Sequence, residues 1–266
     1  MSHSAIPTPV KAILSATNIL ICRPGESAHE LSSALSALGA SCYTFPTLDI
    51  VELIIPETEK QHILSLDQYK YVIVTSQHAA KSGLELIENY WPQFPIGQTW
   101  LAIGQKTASL LSNANIPVTP PKKDLTSEDL LKLTALQKAK DQKILILKGK
   151  GGRGVIPQVL TKRGAKVDEV DLYERVCPTY SHEQVKAALI DFKATYIVAL
   201  SGETLLNLIS LCEDHNIDLS SKTFIVPSHR VANTAYDHGF KSVLIPANLK
   251  PIDLIKCITK HKKNLN

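Results

Sequence analysis

Residues 144–176 read ILILKGKGGRGVIPQVLTKRGAKVDEVDLYERV, and the fold follows from this stretch. Residues 144–147 are a short apolar run, the pattern of a strand buried on both faces of a parallel sheet. Residues 148–154 are a loop of glycine, lysine and arginine. Val155, Ile156, Val159 and Leu160 then recur at helical spacing, with Pro157 in the opening turn, where a missing N–H costs little. Gly164 stands where a helix-ending glycine belongs. Val167, Val170 and Leu172 predict a second strand, which runs into Tyr173, Glu174 and Arg175. The unit is strand, basic glycine loop, helix, strand, tyrosine.

A similar unit occurs earlier. Residues 19–22 read as a strand, and Arg23, Pro24 and Gly25 turn the chain. Ser27 and Glu30 have capping-box spacing, Leu31, Ala34, Leu35 and Leu38 form an apolar stripe, and Gly39 closes the helix. Ile19 to Gly39 and Ile144 to Gly164 span the same 20 positions (39 − 19 and 164 − 144), at an offset of 125 (144 − 19). YVIVTS at 71–76 matches YIVALS at 196–201 at that offset (196 − 71 = 125). TWLAIG at 99–104 matches TFIVPS at 223–228 at 124 (223 − 99). Three blocks at one offset point to an internal duplication.

Helices are expected over 79–87, 106–113, 126–136, 203–213, 230–237 and 252–259, while Pro117, Pro120 and Pro121 mark a loop. Alternating strands and helices imply parallel sheets covered on both faces. The expected fold class is therefore α/β, two similar parallel-sheet domains of flavodoxin- or Rossmann-like type. Residues 42–51 are extended and carry Pro46, which suits an edge strand or a linker. Residues 1–17 lack clear periodicity and are expected to be a loose tail or a partly ordered arm.

Composition bounds the function. At 266 residues the chain has room for one large domain or two medium ones. A net charge of +4 is too mild to point to nucleic acid. The charge is uneven, however: residues 138–166 hold nine basic side chains and one acidic one, Asp141. That bias fits a solvated surface or a cleft for an anionic ligand. The five cysteines are scattered without a C-x-x-C pair, which argues for reduced thiols and a cytoplasmic protein. No signal-peptide pattern and no apolar run of membrane-spanning length is seen. The nine histidines show no ligand spacing, so no metal site is expected.

In open parallel sheets, ligands bind beyond the carboxyl ends of the strands. The residues expected there are Arg23, Thr75, Ser76, Thr107, Lys148, Gly149, Gly152, Arg153, Ser201 and Ser228. Most begin helices, where free N–H groups and the dipole favour anions. Each hydroxyl is also explained as an ordinary N-cap, but the recurrence in both halves favours an anion-binding cleft. The loop from Gly149 to Gly154 satisfies G-x-G-x-x-G after a strand and before a helix, with Asp168 or Glu169 about 20 residues on. A nucleotide-dependent oxidoreductase is therefore one alternative, and a cytosolic two-domain protein binding an anionic metabolite is another. Against the first, the equivalent turn of the earlier unit reads RPGE. Tyr173 is the leading catalytic candidate. A tyrosine has a reference pKa of about 10 and serves as a hydrogen-bond donor or weak acid near neutrality. No Ser or Cys triad is apparent, and Asp49 and Asp171 read as surface residues.

These residues together resemble the uroporphyrinogen-III synthase family. The resemblance runs from Asn18 onward. It is carried by Ile21-Cys22-Arg23-Pro24, Val74-Thr75-Ser76, the AIGQKTA stretch at 102–108, Gly152-Arg153, Arg163-Gly164-Ala165, Tyr173-Glu174-Arg175, Ser201 and Pro227-Ser228. One departure is Lys148 before Gly149, where the family usually has arginine; the charge survives but the bidentate fork does not. The resemblance implies two domains joined by a two-stranded antiparallel linker. Domain 1 would comprise residues 18–41 and 178–266, domain 2 residues 52–166, and the linker strands 42–51 and 167–177. It also implies a lyase of haem biosynthesis with no cofactor and no metal, and a monomer is expected because the binding cleft would lie within one chain. The substrate would be the polycarboxylate hydroxymethylbilane, with transient contact to hydroxymethylbilane synthase. Ring D would be inverted through a spiro intermediate, with Tyr173 assisting loss of the hydroxyl and the domains closing about a hinge. No nucleic-acid or membrane partner is expected.

Overall fold

The computed structural model describes residues 12–118, 126–152 and 154–265. The tail before residue 12, the loop at Pro120 and Pro121, and Arg153 lie outside the described residues. In chain order the elements begin with β1 (Asn18–Ile21), α1 (Glu26–Ser36), β2 (Ser41–Thr44), β3 (Asp49–Glu52), α2 (Glu57–Leu64), β4 (Tyr71–Val74) and α3 (Gln77–Glu88). There follow β5 (Thr99–Ala102), α4 (Gln105–Asn113), α5 (Ser127–Leu130), α6 (Thr134–Gln137), β6 (Lys143–Gly149), α7 (Val155–Lys162) and β7 (Lys166–Val176). The chain ends with α8 (His182–Lys186), β8 (Tyr196–Val198), α9 (Gly202–Asp214), β9 (Thr223–Ile225), α10 (His229–Asp237), β10 (Ser242–Leu244) and α11 (Pro251–Leu265).

The chain divides into two compact units, Met1–Asp49 with Val176–Asn266, and Ile50–Arg175. The first holds a five-stranded sheet in the order β10-β9-β8-β1-β2, with parallel pairing throughout. Its central strands β1, β8 and β9 are buried on both faces, and alternation along them divides the core in two. Leu20, Ile197 and Phe224 point to one face, with the apolar sides of α9 and α10. Ile19, Ile21, Val198 and Ile225 point to the other, against Leu31 and Leu35 of α1 and Leu254 and Ile258 of α11. Phe224 is fully buried and packs on Phe240 with ring centroids 4.2 Å apart. Phe224→Ala is expected to cost about 3–5 kcal/mol of stability, because the lost contacts leave a cavity that a parallel sheet cannot close. Urea unfolding would measure it, and a cost under about 1 kcal/mol would mean this core is not packed as described.

The second unit's sheet runs β3-β7-β6-β4-β5, with β5, β4, β6 and β7 pairing in parallel. Val72, Val74, Leu145, Leu147 and Leu172 face the helices α2, α3 and α4 on one side. Ile73, Ile144 and Ile146 face α5, α6 and α7 on the other. Each sheet thus exposes a row of strand-to-helix turns at its carboxyl edge.

Residues 42–51 lie at sheet edges, as expected of an edge strand, but as two strands broken around Pro46: β2 pairs in parallel with β1 at the edge of the first sheet, and β3 stands beside β7 at the edge of the second. β7 pairs with β6 from Lys166 on and stands between β6 and β3 in the second sheet. The reason is backbone satisfaction: a strand beside an open parallel edge makes its hydrogen bonds there. Of the expected tail or partly ordered arm, residues 12–17 are ordered and packed, with Leu14 fully buried and its N–H bonded to the Leu38 carbonyl at 2.9 Å. The helix expected over 126–136 is two short ones, the first opened by a Thr126–Asp129 capping box. Gly25, not Ser27, caps α1; the Ser27 hydroxyl donates instead to the Pro24 carbonyl.

Candidate active site at the carboxyl edge of the second sheet

Tyr173 sits near the end of β7, only 2% exposed. A regular strand would send Leu172 and Tyr173 to opposite faces. Here both join the same core cluster, because the pairing of β7 with β6 shifts register between Lys148 and Gly149: Lys148 pairs with Asp171, but Gly149 pairs with Tyr173. Such bulges re-aim a side chain. The tyrosine ring is laid over Gly149, where a Cβ would stand 2.4 Å from Cζ and 2.9 Å from Oη. The Tyr173 carbonyl accepts from the Lys150 N–H at 2.7 Å, which ties loop to strand.

The phenol is held from the other side by Ser76, whose Oγ lies 3.0 Å from Oη. Ser76 caps α3 and accepts the Ala79 N–H at 3.0 Å. The ring of His78 stands 5.6 Å from that of Tyr173, and the Arg175 guanidinium lies over the tyrosine face at 5.8 Å. Burial, with Arg175 and Lys81 nearby, lowers the His78 pKa, which favours a neutral imidazole at neutral pH.

A cavity of about 200 Å³ opens here, lined by Tyr173, Ser76, Thr75, Lys148, the loop glycines and the first turn of α7. A larger recess of about 530 Å³ in the first unit, lined by Cys212, Asn216 and Phe240, lies toward the amino edge of its sheet. The small cavity is the better candidate, because ligands of parallel sheets bind at the carboxyl edge.

The basic loop is partly neutralised. The Lys148 ammonium pairs with Glu169 at 2.8 Å and Asp171 at 3.3 Å, and Lys150 with Glu174 at 3.1 Å. Burial works against the charge on Lys148, but the two carboxylates outweigh it and raise its pKa. Residues 138–166 read as a cationic run only because the count stops before the carboxylates of β7, which parallel pairing sets beside the loop.

Of the residues expected at strand tips, Thr75, Ser76, Lys148, Gly149, Gly152 and Tyr173 come together around this cavity. Thr107 is buried on α4 and is not among its lining residues. Arg23, Ser201 and Ser228 belong to the carboxyl edge of the first sheet. Burial lowers the Arg23 pKa, with Glu30 opposing. Ile103, Ser127 and Arg175 also line the cavity. Arg175 stood in a recognisable motif, whereas Ser127 read only as part of a helix start.

The dinucleotide alternative fails on occupancy. The ring of Tyr173 fills the space over the first glycine of the loop. Both acidic residues that could hold a ribose are engaged: Asp168 accepts from Tyr69 at 2.8 Å, and Glu169 pairs with Lys148. Among the described residues, no group of three or more His, Cys, Asp or Glu could hold a metal ion, and no helix is long and apolar enough to cross a membrane.

Fold and site define an α/β enzyme with two mostly parallel sheets and a buried tyrosine at a strand tip. The family model described as uroporphyrinogen-III synthase HemD matches residues 29–256, and the chain belongs to the uroporphyrinogen-III synthase family. It is 30% identical to the Escherichia coli uroporphyrinogen-III synthase over 248 residues, covering 91% of this chain and 99% of that protein. The Salmonella typhimurium uroporphyrinogen-III synthase is 29% identical over 244 residues, with the same two coverages. The fold is similar to crystal structures of a mutant uroporphyrinogen III synthase from Thermus thermophilus (TM-score 0.60) and of the Helicobacter pylori enzyme (TM-score 0.59). Each is 14% identical to this chain and covers 94% of it and 100% of its own length.

Proposed function

We propose that the chain carries out its family's reaction at the carboxyl edge of the second sheet, with Tyr173 as the proton donor that releases the substrate's terminal hydroxyl. As a uroporphyrinogen-III synthase the chain is a cyclising hydro-lyase of porphyrin biosynthesis. The observation that carries the site assignment is the phenol of Tyr173, buried, hydrogen-bonded to Ser76 and lining a cavity.

In this scheme the Tyr173 proton moves to the terminal hydroxyl of linear hydroxymethylbilane. The C–O bond breaks with its electron pair on oxygen, and water leaves. The pyrrole nitrogen lone pair stabilises the resulting azafulvene cation. The substituted carbon of ring D attacks, giving a spiro intermediate that fragments and recloses with ring D inverted. Loss of a ring proton restores aromaticity and returns a proton to the phenolate. One water is lost and no electrons are transferred, so the scheme needs no redox cofactor. The cavity of about 200 Å³ is below the roughly 300–1,000 Å³ that encloses a drug-sized ligand, so it takes the reacting end of the bilane rather than four rings.

Thr75, Gly149, Gly152 and Arg153 are proposed to bind substrate at this edge, with Ser76 acting through Tyr173 and Thr107 buried in α4, and Arg23, Ser201 and Ser228 at the carboxyl edge of the other sheet. With Lys148 held by Glu169 and Asp171, substrate carboxylates meet the N–H groups at the start of α7, and Lys148 shapes the loop. An internal duplication is supported by strand order. At an offset of about 125, β9, β8, β1 and β2 correspond to β5, β4, β6 and β7, which occur in the same order in the second sheet. The bridge of Val118 to Trp100 matches the pairing of Val243 with Phe224 (243 − 118 = 125; 224 − 100 = 124).

The test is a coupled assay in which porphobilinogen and hydroxymethylbilane synthase supply substrate in place. After oxidation, the uroporphyrin isomers are separated by chromatography. Isomer III is expected; isomer I alone from folded protein would reject the assignment.

A further inference from the structure

We propose that Ser76 is a positioning residue that orients the Tyr173 hydroxyl and couples it to the amino end of α3; this rests on Tyr173 being the proton donor. A serine hydroxyl has one hydrogen to give and two positions at which to accept. The Ala79 N–H occupies one acceptor position at 3.0 Å. The contact with Tyr173 at 3.0 Å can run either way. Were the phenol the donor, its proton would be committed to Ser76 and turned away from substrate. With Ser76 as donor, the chain runs Ala79 N–H to Ser76 Oγ, Ser76 O–H to Tyr173 Oη, and the phenol proton faces the cavity.

In that direction the dipoles align, and aligned hydrogen bonds in a buried site strengthen one another. As the proton leaves, negative charge develops on Oη. It meets the Ser76 O–H and, one bond further, the positive end of the twelve-residue helix α3. The ring is held in this line: it lies against Gly149, where any side chain would collide with it, and it is 2% exposed.

Ser201 supplies a contrast. It caps α9 in the same way, accepting the Thr204 N–H at 3.0 Å, but its second contact is Thr204 Oγ1 of its own helix at 2.7 Å. Capping therefore accounts for one hydrogen bond of Ser76 and leaves the contact with Tyr173 to be explained by what the phenol does.

The experiment measures Ser76→Ala and Ser76→Thr in the wild-type and Tyr173→Phe backgrounds, in the coupled isomer assay, with urea unfolding alongside. Ser76→Ala is expected to lower kcat by about tenfold to a hundredfold with KM within about twofold, somewhat less than removal of a direct oxyanion donor. Ser76→Thr, which keeps hydroxyl and cap, should recover kcat to within about threefold. In the Tyr173→Phe background Ser76→Ala should cost almost nothing, since the group it acts through is gone. An equal cost in both backgrounds, or unchanged kcat in Ser76→Ala, would overturn the proposal. If Ser76→Ala does not fold, the Ser76→Thr variant decides: a loss of kcat as large in the Tyr173→Phe background as in wild type overturns it equally. Wild-type protein yielding only isomer I would instead overturn the function on which the proposal rests.

Discussion

Tyr173→Phe is expected to lower kcat by ~10²–10⁴-fold, the usual contribution of one general acid, while leaving KM nearly unchanged. Phenylalanine keeps the ring that fills the space over Gly149, so the cavity wall survives. What is lost is Oη and its contact with Ser76. The stability cost should be about 0.5–1.5 kcal/mol, because Ser76 retains its bond to Ala79 and only one hydrogen bond is removed. Activity should persist above background, since holding the bilane folded for spiro attack does not depend on the phenol. Slowed elimination also gives unaided closure more time, so the share of isomer I should rise. Single-turnover kinetics with isomer analysis would measure both effects. Wild-type turnover in this variant would remove Tyr173 from the reaction.

Gly149→Ala should be at least as damaging, for a steric reason. The added Cβ would stand 2.4 Å from Cζ, 2.6 Å from Cε2 and 2.9 Å from Oη of Tyr173. The ring is enclosed and shares its core cluster with Leu147 and Leu172, so it cannot yield without disturbing them. Overpacking of this kind costs about 1–3 kcal/mol or more, and it displaces the phenol from Ser76. Kcat should therefore fall at least as far as in Tyr173→Phe, with lower stability as well. A double-mutant cycle isolates the cause: in a Tyr173→Ala background, Gly149→Ala should lose most of its stability cost. An undiminished cost there would mean that glycine is needed for something other than the ring. By contrast, a Cβ at Gly151 or Gly152 would meet nothing within 4 Å; their requirement is the positive φ of the loop.

Local patterns decided much of this molecule. The apolar runs at 71–74, 144–147 and 196–198 became strands because four or fewer successive buried side chains with turns on either side suit a parallel sheet. Ser76 and Ser201 stand where their helix-starting pattern put them, accepting the N–H three residues on. Tyr173 was legible as a tyrosine at a strand end, and Lys148, Gly149 and Gly152 as the adjoining loop.

Tertiary structure decided the rest, because the interactions concerned join residues far apart in the chain. Ser76 meets Tyr173 across 97 positions, and nothing near either residue foretells it. Gly149 looked like a fingerprint glycine; its role is set by a ring that a register shift in the neighbouring strand lays on top of it. The basic loop of Lys148 and Lys150 fitted an anion cleft until β7 brought Glu169, Asp171 and Glu174 beside it. The segment around Pro46 looked continuous, yet it divides because β2 completes its hydrogen bonds on β1 while β3 takes its place beside β7. Sequence periodicity specifies which face of an element is buried. Only the register between strands specifies which side chains then face one another, and at this site that register assembles tyrosine, glycine and serine into one arrangement.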